Sequence, residues 1–370
     1  MINSNKFTIF VPTLIGGGAE RMMVNIARGI VEKGYDVDLV LVKAVGPYLS
    51  EVPKKVKVID LNAFSTYASL PKLINYLRIE QPKSILSTLR NANITAILAR
   101  KISKVKTRVI IREANITPLS LQASKGTNIK SNITSNCYLI KKIYPWADTI
   151  IAVSQGVAHH LTNTYGVASK KIRTIYNPVV TPELIYKSKE PVSHPWFGVN
   201  EPPVILAAGR LTKQKDFPTL IKAFSIVRER KNTRLIILGE GEERIGLENL
   251  IKKMGLESEI SLPGFTQNPF AYMSKAKLFV LSSLWEGLPG VLIQAMACGT
   301  PVVSTECPSG PAEILENGRY GILVPVGDEF NLANAIEKAL NESPDSSTLI
   351  KRANFFSLSE KTDEYLKELQ

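Results

Sequence analysis

"KLFVLSSLWEGLPGVLIQAMACGTPVVST" runs from Lys277 to Thr305. It opens on an apolar run of strand length, Leu278 to Leu281. Gly287, Pro289 and Gly290 then break the chain, and an apolar stretch with helical character restarts at Gly290. A second strand-like run, Val302 to Thr305, closes the segment. Strand, loop, helix and strand in this order read as one parallel βαβ step. Two polar side chains interrupt it. Glu286 is a lone carboxylate at the edge of the first apolar element, and Gln294 is a single amide in the start of the next. Their neighbours are apolar, so solvation does not require them, and the pattern reads as a site.

The same alternation extends in both directions. In the first half, "KFTIFVPTL", "DVDLVLV", "KVKVIDL", "PKSILSTL", "RVIIREA" and "DTIIAVS" read as strands, mostly with helical patterns between them. In the second half, "PVILAAGRL", "TRLIILGEG", "EISLPGF", "KLFVLSS", "TPVVST" and "GILVPV" restart the series. Such alternation implies parallel sheets covered by helices on both faces. The fold class is therefore α/β, with two doubly wound, Rossmann-like units in tandem. A length of 370 residues fits this, because it exceeds what one core usually supports. The expected organisation is a first domain over residues 1–177, a linker over 178–203, a second domain over 204–350 and a C-terminal helix over 351–370. The linker carries six prolines between Asn177 and Pro203 and no clear period. The terminal helix needs a surface for its apolar face, on its own domain or back on the first.

Composition narrows the class. With 44% hydrophobic and 21% charged residues the chain is ordinary for a globular protein. No apolar stretch reaches the roughly 20 residues of a membrane span, and no segment reads as a signal peptide. Cys137, Cys298 and Cys307 lack metal spacing and fit a reduced, cytoplasmic chain. The net charge of +13 is uneven. Residues 1–177 hold 25 Lys and Arg against nine Asp and Glu, a net of +16, and the remainder is slightly acidic. The densest piece, Ala99–Arg112, carries six cations: Arg100, Lys101, Lys104, Lys106, Arg108 and Arg112. A face of this kind attracts anionic lipid, a phosphorylated substrate or nucleic acid. Nucleic acid is set aside, because no aromatic-interleaved or helical recognition motif accompanies the charge.

Open parallel sheets bind ligands beyond the carboxyl ends of their strands, where helix N-termini offer unpaired amides. Three loops fit. "TLIGGGAERM" ends a strand in three glycines before a helix, and its bare backbone admits close approach of a ligand at Gly17 and Gly18. It is neither the dinucleotide fingerprint nor the triphosphate loop. "AAGRLTKQKDF" places Arg210 and Lys215 before a helix, a pair of cations suited to a diphosphate. The third is the opening segment. There the amides of Gly290 and Val291 can cap a phosphate, Glu286 can accept from hydroxyls, and Gln294 lies one helical turn after Gly290. "DVD", Asp36–Asp38, alternates with apolar residues as strand-edge positions do, so it is not read as a metal site. His159 and His160 are adjacent, not at ligand spacing. No metal and no other cofactor is expected.

At these residues the chain resembles family 4 of the retaining nucleotide-sugar glycosyltransferases, which have the two-domain B-type fold. "GGGAE", "VSQGV", "IYNPV", "GRLTKQKD", "LGEGEER", "LPGFTQNP", "EGLPGVLIQAMACGTPVV" and "GPAEIL" stand in the family's order over nearly the whole chain. The resemblance implies an acceptor-binding first domain, a second domain that holds the nucleotide sugar, and chemistry in a central cleft. It implies that Gly17 and Gly18 approach donor phosphate or acceptor. Arg210 and Lys215 neutralise the departing diphosphate, and Glu286 contacts hydroxyls of the transferred sugar. Gly290 and Val291 hold phosphate, and Phe265 lies near the base. The family's second acid falls on Gln294, toward the ribose. An acceptor-domain histidine common in the family is replaced by Ala114, flanked by Glu113 and Asn115 after Arg112, which makes Arg112, Glu113 and Asn115 the acceptor-side candidates.

The expected activity is metal-independent, retaining transfer of a hexose-type sugar to a glycan or lipid-linked acceptor, in polysaccharide or glycolipid assembly. Peripheral contact with an anionic inner membrane face follows from the charge. The alternatives are a nucleotide-sugar-binding protein with little activity, marked by Gln294 and Ala114, and an epimerase or phosphorylase on the same fold.

Overall fold

The structure is a computed structural model that describes residues 3–116, 138–342 and 345–370. The chain divides into two compact units, Met1–Val179 with Leu358–Gln370, and Val180–Ser357.

The first unit is a seven-stranded parallel sheet. Its strands are β1 (Asn3–Val11), β2 (Asp36–Leu41), β3 (Lys57–Asp60), β4 (Pro82–Thr88), β5 (Arg108–Glu113), β6 (Thr149–Ala152) and β7 (Ile172–Thr174), in the order β3-β2-β1-β4-β5-β6-β7. The order reverses between β1 and β4, which run level from Phe7 opposite Ser84 to Phe10 opposite Ser87. Six of these strands are apolar runs in the sequence. The seventh, β7, was missed because its three residues, Ile-Arg-Thr, bury only Ile172 fully. Continuous burial along β4 and β5 reflects helices on both faces. Helix Gly18–Glu32 buries Met22, Met23, Ile26, Ala27 and Ile30 at helical spacing. The "DVD" pair splits as strand alternation requires. Asp36 is exposed, while Asp38 is buried, 3.4 Å from Lys6 and accepting from the Tyr76 hydroxyl at 2.8 Å.

Helix Leu358–Leu369 belongs to this unit, and Tyr365, Leu366 and Leu369 join its core. Gly29 makes room for it, since a side-chain carbon there would lie 2.0 Å from the Thr362 hydroxyl.

The second unit is a six-stranded parallel sheet: β8 (Val204–Ala208), β9 (Arg234–Leu238), β10 (Ile260–Gly264), β11 (Leu278–Leu281), β12 (Val302–Thr305) and β13 (Ile322–Val324), in the order β10-β9-β8-β11-β12-β13. Its order reverses between β8 and β11. The boundaries differ from the sequence reading. Residues 180–203 are not a free linker but part of this unit. Thr181 caps helix Pro182–Lys187 by accepting from the Leu184 amide, and the Asn268 side chain donates to Lys187 O at 2.9 Å and Glu190 at 2.7 Å. The prolines that obscured a period start short turns here. Helix Ser346–Asn354 also stays with this unit, so only Leu358 onward joins the first.

Candidate active site

In the second unit, the loops after β8 and β11 leave neighbouring strands where the order reverses, the place where doubly wound sheets open a ligand crevice. The β8 loop carries Gly209, Arg210 and Lys215, and the β11 loop carries Ser282 to Pro289. Five hydrogen bonds join them. Lys215 Nζ donates to Glu286 Oε1 at 2.5 Å, and Gln214 Nε2 donates to Trp285 O at 2.8 Å. The Leu284 amide donates to Gln214 O at 2.8 Å, and Ser282 Oγ to Lys215 O at 2.7 Å. A longer contact runs from Gln214 Nε2 to Glu286 Oε2 at 3.4 Å. The Lys215 stem lies on bare backbone, because a side-chain carbon on Gly209 would sit 3.0 Å from Lys215 Cε.

The loop after β12 completes the floor. The Glu286 amide donates to Pro308 O at 3.4 Å and Ser309 Oγ to Gly287 O at 2.8 Å. Gly310 takes φ +96°, and a side-chain carbon there would lie 2.5 Å from Pro289. Cys307 is buried in this loop, and burial together with the Glu286 charge pushes its thiol up to about 12. Its side chain packs as part of the wall of this loop.

Glu286 itself is 6% exposed, and Ser283 Oγ donates to its Oε1 at 2.7 Å. Arg210 is exposed, with no side-chain partner among the described residues. Helix Gly290–Ala297 begins beside Glu286, and the amides of Gly290 and Val291 fall in its first turn, where no intrahelical acceptor exists. Gln294 is 9% exposed and its side chain has no hydrogen-bond partner among the described residues. Phe265 follows β10 and is 59% exposed. A hollow of about 200 Å³ lined by Lys213, Asp216, Glu243 and Leu284, among others, lies beside the cation loop. Arg210, Lys215 and Glu286 do not line it. Among the described residues no group of His, Cys, Asp and Glu is placed to hold a metal ion.

In the first unit the reversal lies between β1 and β4. Gly17 precedes helix Gly18–Glu32, and the Glu20 carboxylate folds over it, so that a side-chain carbon on Gly17 would meet Glu20 Oε2 at 2.1 Å. After β4, Leu89 takes φ +72° and Arg90 opens helix Arg90–Ser103. Glu113 ends β5, and its Oε1 accepts from the Tyr144 hydroxyl and from Asn93 Nδ2. Burial raises the proton affinity of Glu113, opposed by those bonds and by Arg90. Asn115 is exposed.

Arg112 requires correction as an acceptor contact. It is 1% exposed, and its guanidinium donates to Tyr365 Oη at 3.1 Å, Thr88 Oγ1 at 3.0 Å and Asn177 Oδ1 at 2.5 Å. Strand alternation at β5 sends the two side chains to opposite covered faces, Arg112 toward Tyr365 of helix Leu358–Leu369 and Glu113 toward Asn93 of helix Arg90–Ser103. The other cations of the six-residue patch lie away from the ligand edge of this sheet. Lys101, Lys104, Lys106 and Arg108 lie at the amino end of β5, opposite the edge where its ligand loop departs. Lys101 stacks on Trp146 and Arg100 donates to Trp146 O. The sequence reading missed Gln214, Ser283, Arg90, Asn93 and Tyr144. The first two follow from the loop pairing at β8 and β11, and Arg90 follows from its place just after β4.

Two doubly wound parallel sheets, the second with a cation–carboxylate pair at its reversal point, define a glycosyltransferase of the B-type fold. The fold is shared with sucrose-phosphate synthase from Thermosynechococcus elongatus at a TM-score of 0.79, with 18% identity and 98% of each chain covered. It is shared with Anabaena HepE in complex with UDP and glucose at 0.76, with 20% identity over 98% of this chain and 99% of that one. The chain belongs to glycosyltransferase family 4. The Glycosyltransferase Family 4 model matches residues 16–182, and the model for glycosyl transferases group 1 matches 193–355. The chain is 30% identical over 349 residues, 91% of its own length and 90% of the relative's, to a Campylobacter jejuni enzyme. That enzyme is N-acetylgalactosamine-N,N'-diacetylbacillosaminyl-diphospho-undecaprenol 4-alpha-N-acetylgalactosaminyltransferase.

Proposed function

We propose that this glycosyltransferase moves a hexose-type sugar from a nucleotide diphosphate sugar to a hydroxyl of a lipid-linked glycan, with retention and without a metal. The observation that carries the reading is the Lys215–Glu286 pair, beside Arg210 and the free amides of helix Gly290–Ala297. In such a transfer the bond from the anomeric carbon to the diphosphate oxygen breaks, and negative charge grows on the leaving phosphate. Arg210, the N–H groups of Lys215 not turned to Glu286, and the amides of Gly290 and Val291 stabilise that charge. They supply the positive charge that a metal supplies elsewhere. Glu286 accepts from a hydroxyl of the transferred sugar, Gln294 faces the ribose, and Phe265 lies by the base. The acceptor hydroxyl attacks from the face the phosphate leaves, and its proton passes to a phosphate oxygen.

Two observations support a lipid-linked acceptor. The Campylobacter relative acts, by its name, on a diphospho-undecaprenol-linked sugar. The ligand edge of the first sheet also presents Ile15, Phe64 and Leu89, which are 64%, 97% and 36% exposed. Among the described residues no helix is long and apolar enough to cross a membrane.

The test is thermal shift against UDP-, GDP- and ADP-sugars, followed by transfer to a polyprenyl-diphosphate sugar in excess chelator. The product's anomeric configuration is read by NMR. Inversion would overturn retention, and loss of transfer that magnesium restores would overturn metal independence.

A further inference from the structure

The two oxygens of Glu286 are not equivalent. Oε1 accepts from Lys215 Nζ at 2.5 Å and from Ser283 Oγ at 2.7 Å. A carboxylate oxygen has two lone pairs, so Oε1 is filled by the protein. Among the described residues Oε2 receives only the 3.4 Å contact from Gln214 Nε2, whose shorter bond goes to Trp285 O. Ser283 is 0% exposed, and its carbonyl accepts from Thr305 Oγ1 at 2.6 Å, so its backbone is fixed from the neighbouring strand. A half-turn of the Glu286 carboxylate only exchanges its two oxygens, but any partial rotation would leave the Ser283 hydroxyl buried without an acceptor, which folded proteins avoid.

We infer that Ser283 is a positioning residue that commits Glu286 Oε1 to the protein and leaves Oε2 as the one oxygen that reads the donor sugar. Glu286 then accepts from a single hydroxyl at a fixed position. Ser283 thereby sets discrimination between donor sugars that differ in the configuration of one hydroxyl. Lys215 alone does not achieve this, because an ammonium follows a rotating carboxylate on its flexible stem. The inference rests on the reading that Glu286 faces the donor sugar.

The experiment compares wild type with Ser283→Ala and Ser283→Cys. The cysteine keeps a weak donor of similar size and covers the case in which alanine fails to fold. Initial rates are measured with an epimeric donor pair, UDP-glucose and UDP-galactose or the GDP-mannose and GDP-glucose pair if guanosine donors are used. Binding of the sugar-free nucleoside diphosphate is measured alongside. Loss of one buried hydrogen bond predicts a fall on the order of tenfold in kcat/KM for the preferred epimer. The epimer ratio should narrow by a similar factor, with nucleoside diphosphate affinity within about twofold of wild type. In a Glu286→Gln background, Ser283→Ala should change the epimer ratio no further. A parallel fall for both epimers and the free nucleotide, or an unchanged ratio in a folded variant, overturns the positioning role alone. A wild type that binds and turns over no nucleotide sugar overturns the donor reading, and this inference with it.

Discussion

Lys215 Nζ lies 2.5 Å from Glu286 Oε1, and the two side chains are only 15% and 8% exposed. The pair fastens the loop after β8 to the loop after β11, so the cation proposed to meet phosphate and the acid proposed to meet sugar are held as one body. Breaking such a pair on one side leaves a poorly solvated charge. Lys215→Ala should therefore destabilise the second unit by about 3 kcal/mol, as for other one-sided breaks of buried pairs. The double variant Lys215→Met with Glu286→Gln should regain most of that in urea denaturation and regain no activity. Equal stability of the single and double variants would argue that the pair is loosely held.

Arg210 separates catalysis from stability. It is exposed and has no side-chain partner among the described residues, so Arg210→Ala should leave the melting temperature within about 1 °C, in line with surface substitutions. Its kcat should fall on the order of 10²-fold, as when one fixed donor to a developing charge is removed. Normal turnover in the folded variant would remove Arg210 from the diphosphate site.

The contrast between these cations shows what was legible in the sequence. The placement of Arg210, Lys215, Glu286 and Gln294 around the carboxyl edge of the second sheet was legible because strand, break and helix recur around them, and a parallel sheet puts every such break on one edge. Arg112 was read as an acceptor contact because the same reading cannot tell which covering helix a strand-end side chain meets, and a buried arginine looks like an exposed one in sequence. Ser283 and Gln214 were missed because their role depends on which strands are neighbours. The order β8-β11 is not written in the chain order. The proline-rich stretch from 180 onward was read as a linker because its turns are too short to show a period. Its contacts with Asn268 and Ser274 are long-range.

Arg112 leads to a stability prediction in place of an acceptor role. Its guanidinium ties β5 to Tyr365 of the terminal helix and to Asn177, all within the first unit. Removing it leaves Tyr365 Oη and Asn177 Oδ1 without this donor, while Thr88 keeps its bond to the residue-112 carbonyl, so Arg112→Ala should destabilise that unit on the order of 3 kcal/mol. Tyr365→Phe removes one bond and should cost about 1 kcal/mol. Chemical denaturation and proteolysis of the terminal helix would show both. A fully stable Arg112→Ala with impaired acceptor binding would restore the original assignment.

The pH dependence of the second unit should carry the signature of His194. Its Nδ1 accepts from the Trp196 amide and its Nε2 lies 3.2 Å from Ser261 Oγ, a pattern that suits the neutral ring. Burial, and then the nearby Arg234 charge, hold its proton affinity below the ordinary value of 6.5. The unfolded chain therefore binds this proton first as the pH falls. Stability is unaffected well above 6.5 and is lost as the pH drops from there toward the depressed folded value. His194→Asn should flatten this part of the melting profile between pH 7 and 5. An identical slope in the variant would place the titration elsewhere.

The last prediction separates two edges of the first sheet. Lys101, Lys104 and Lys106 lie at the amino end of β5, while Phe64 and Leu89 follow the carboxyl ends of β3 and β4. If positive charge draws this unit to anionic lipid, each basic residue near the surface contributes about 1 kcal/mol. Changing all three lysines to glutamate should then weaken co-sedimentation with anionic liposomes by at least about tenfold at low salt. High salt should weaken the wild type in the same way. That variant should keep its rate on a short, water-soluble acceptor, because the three side chains are remote from the ligand edge of their own sheet. Phe64→Ser should show the opposite split. Its rate should fall with a polyprenyl-linked acceptor and hold with the soluble one, since Phe64 is 97% exposed and supports no core. Wild type that ignores anionic liposomes at low salt would end the charge argument. A Phe64→Ser variant that treats both acceptors alike would show that this edge does not meet the lipid.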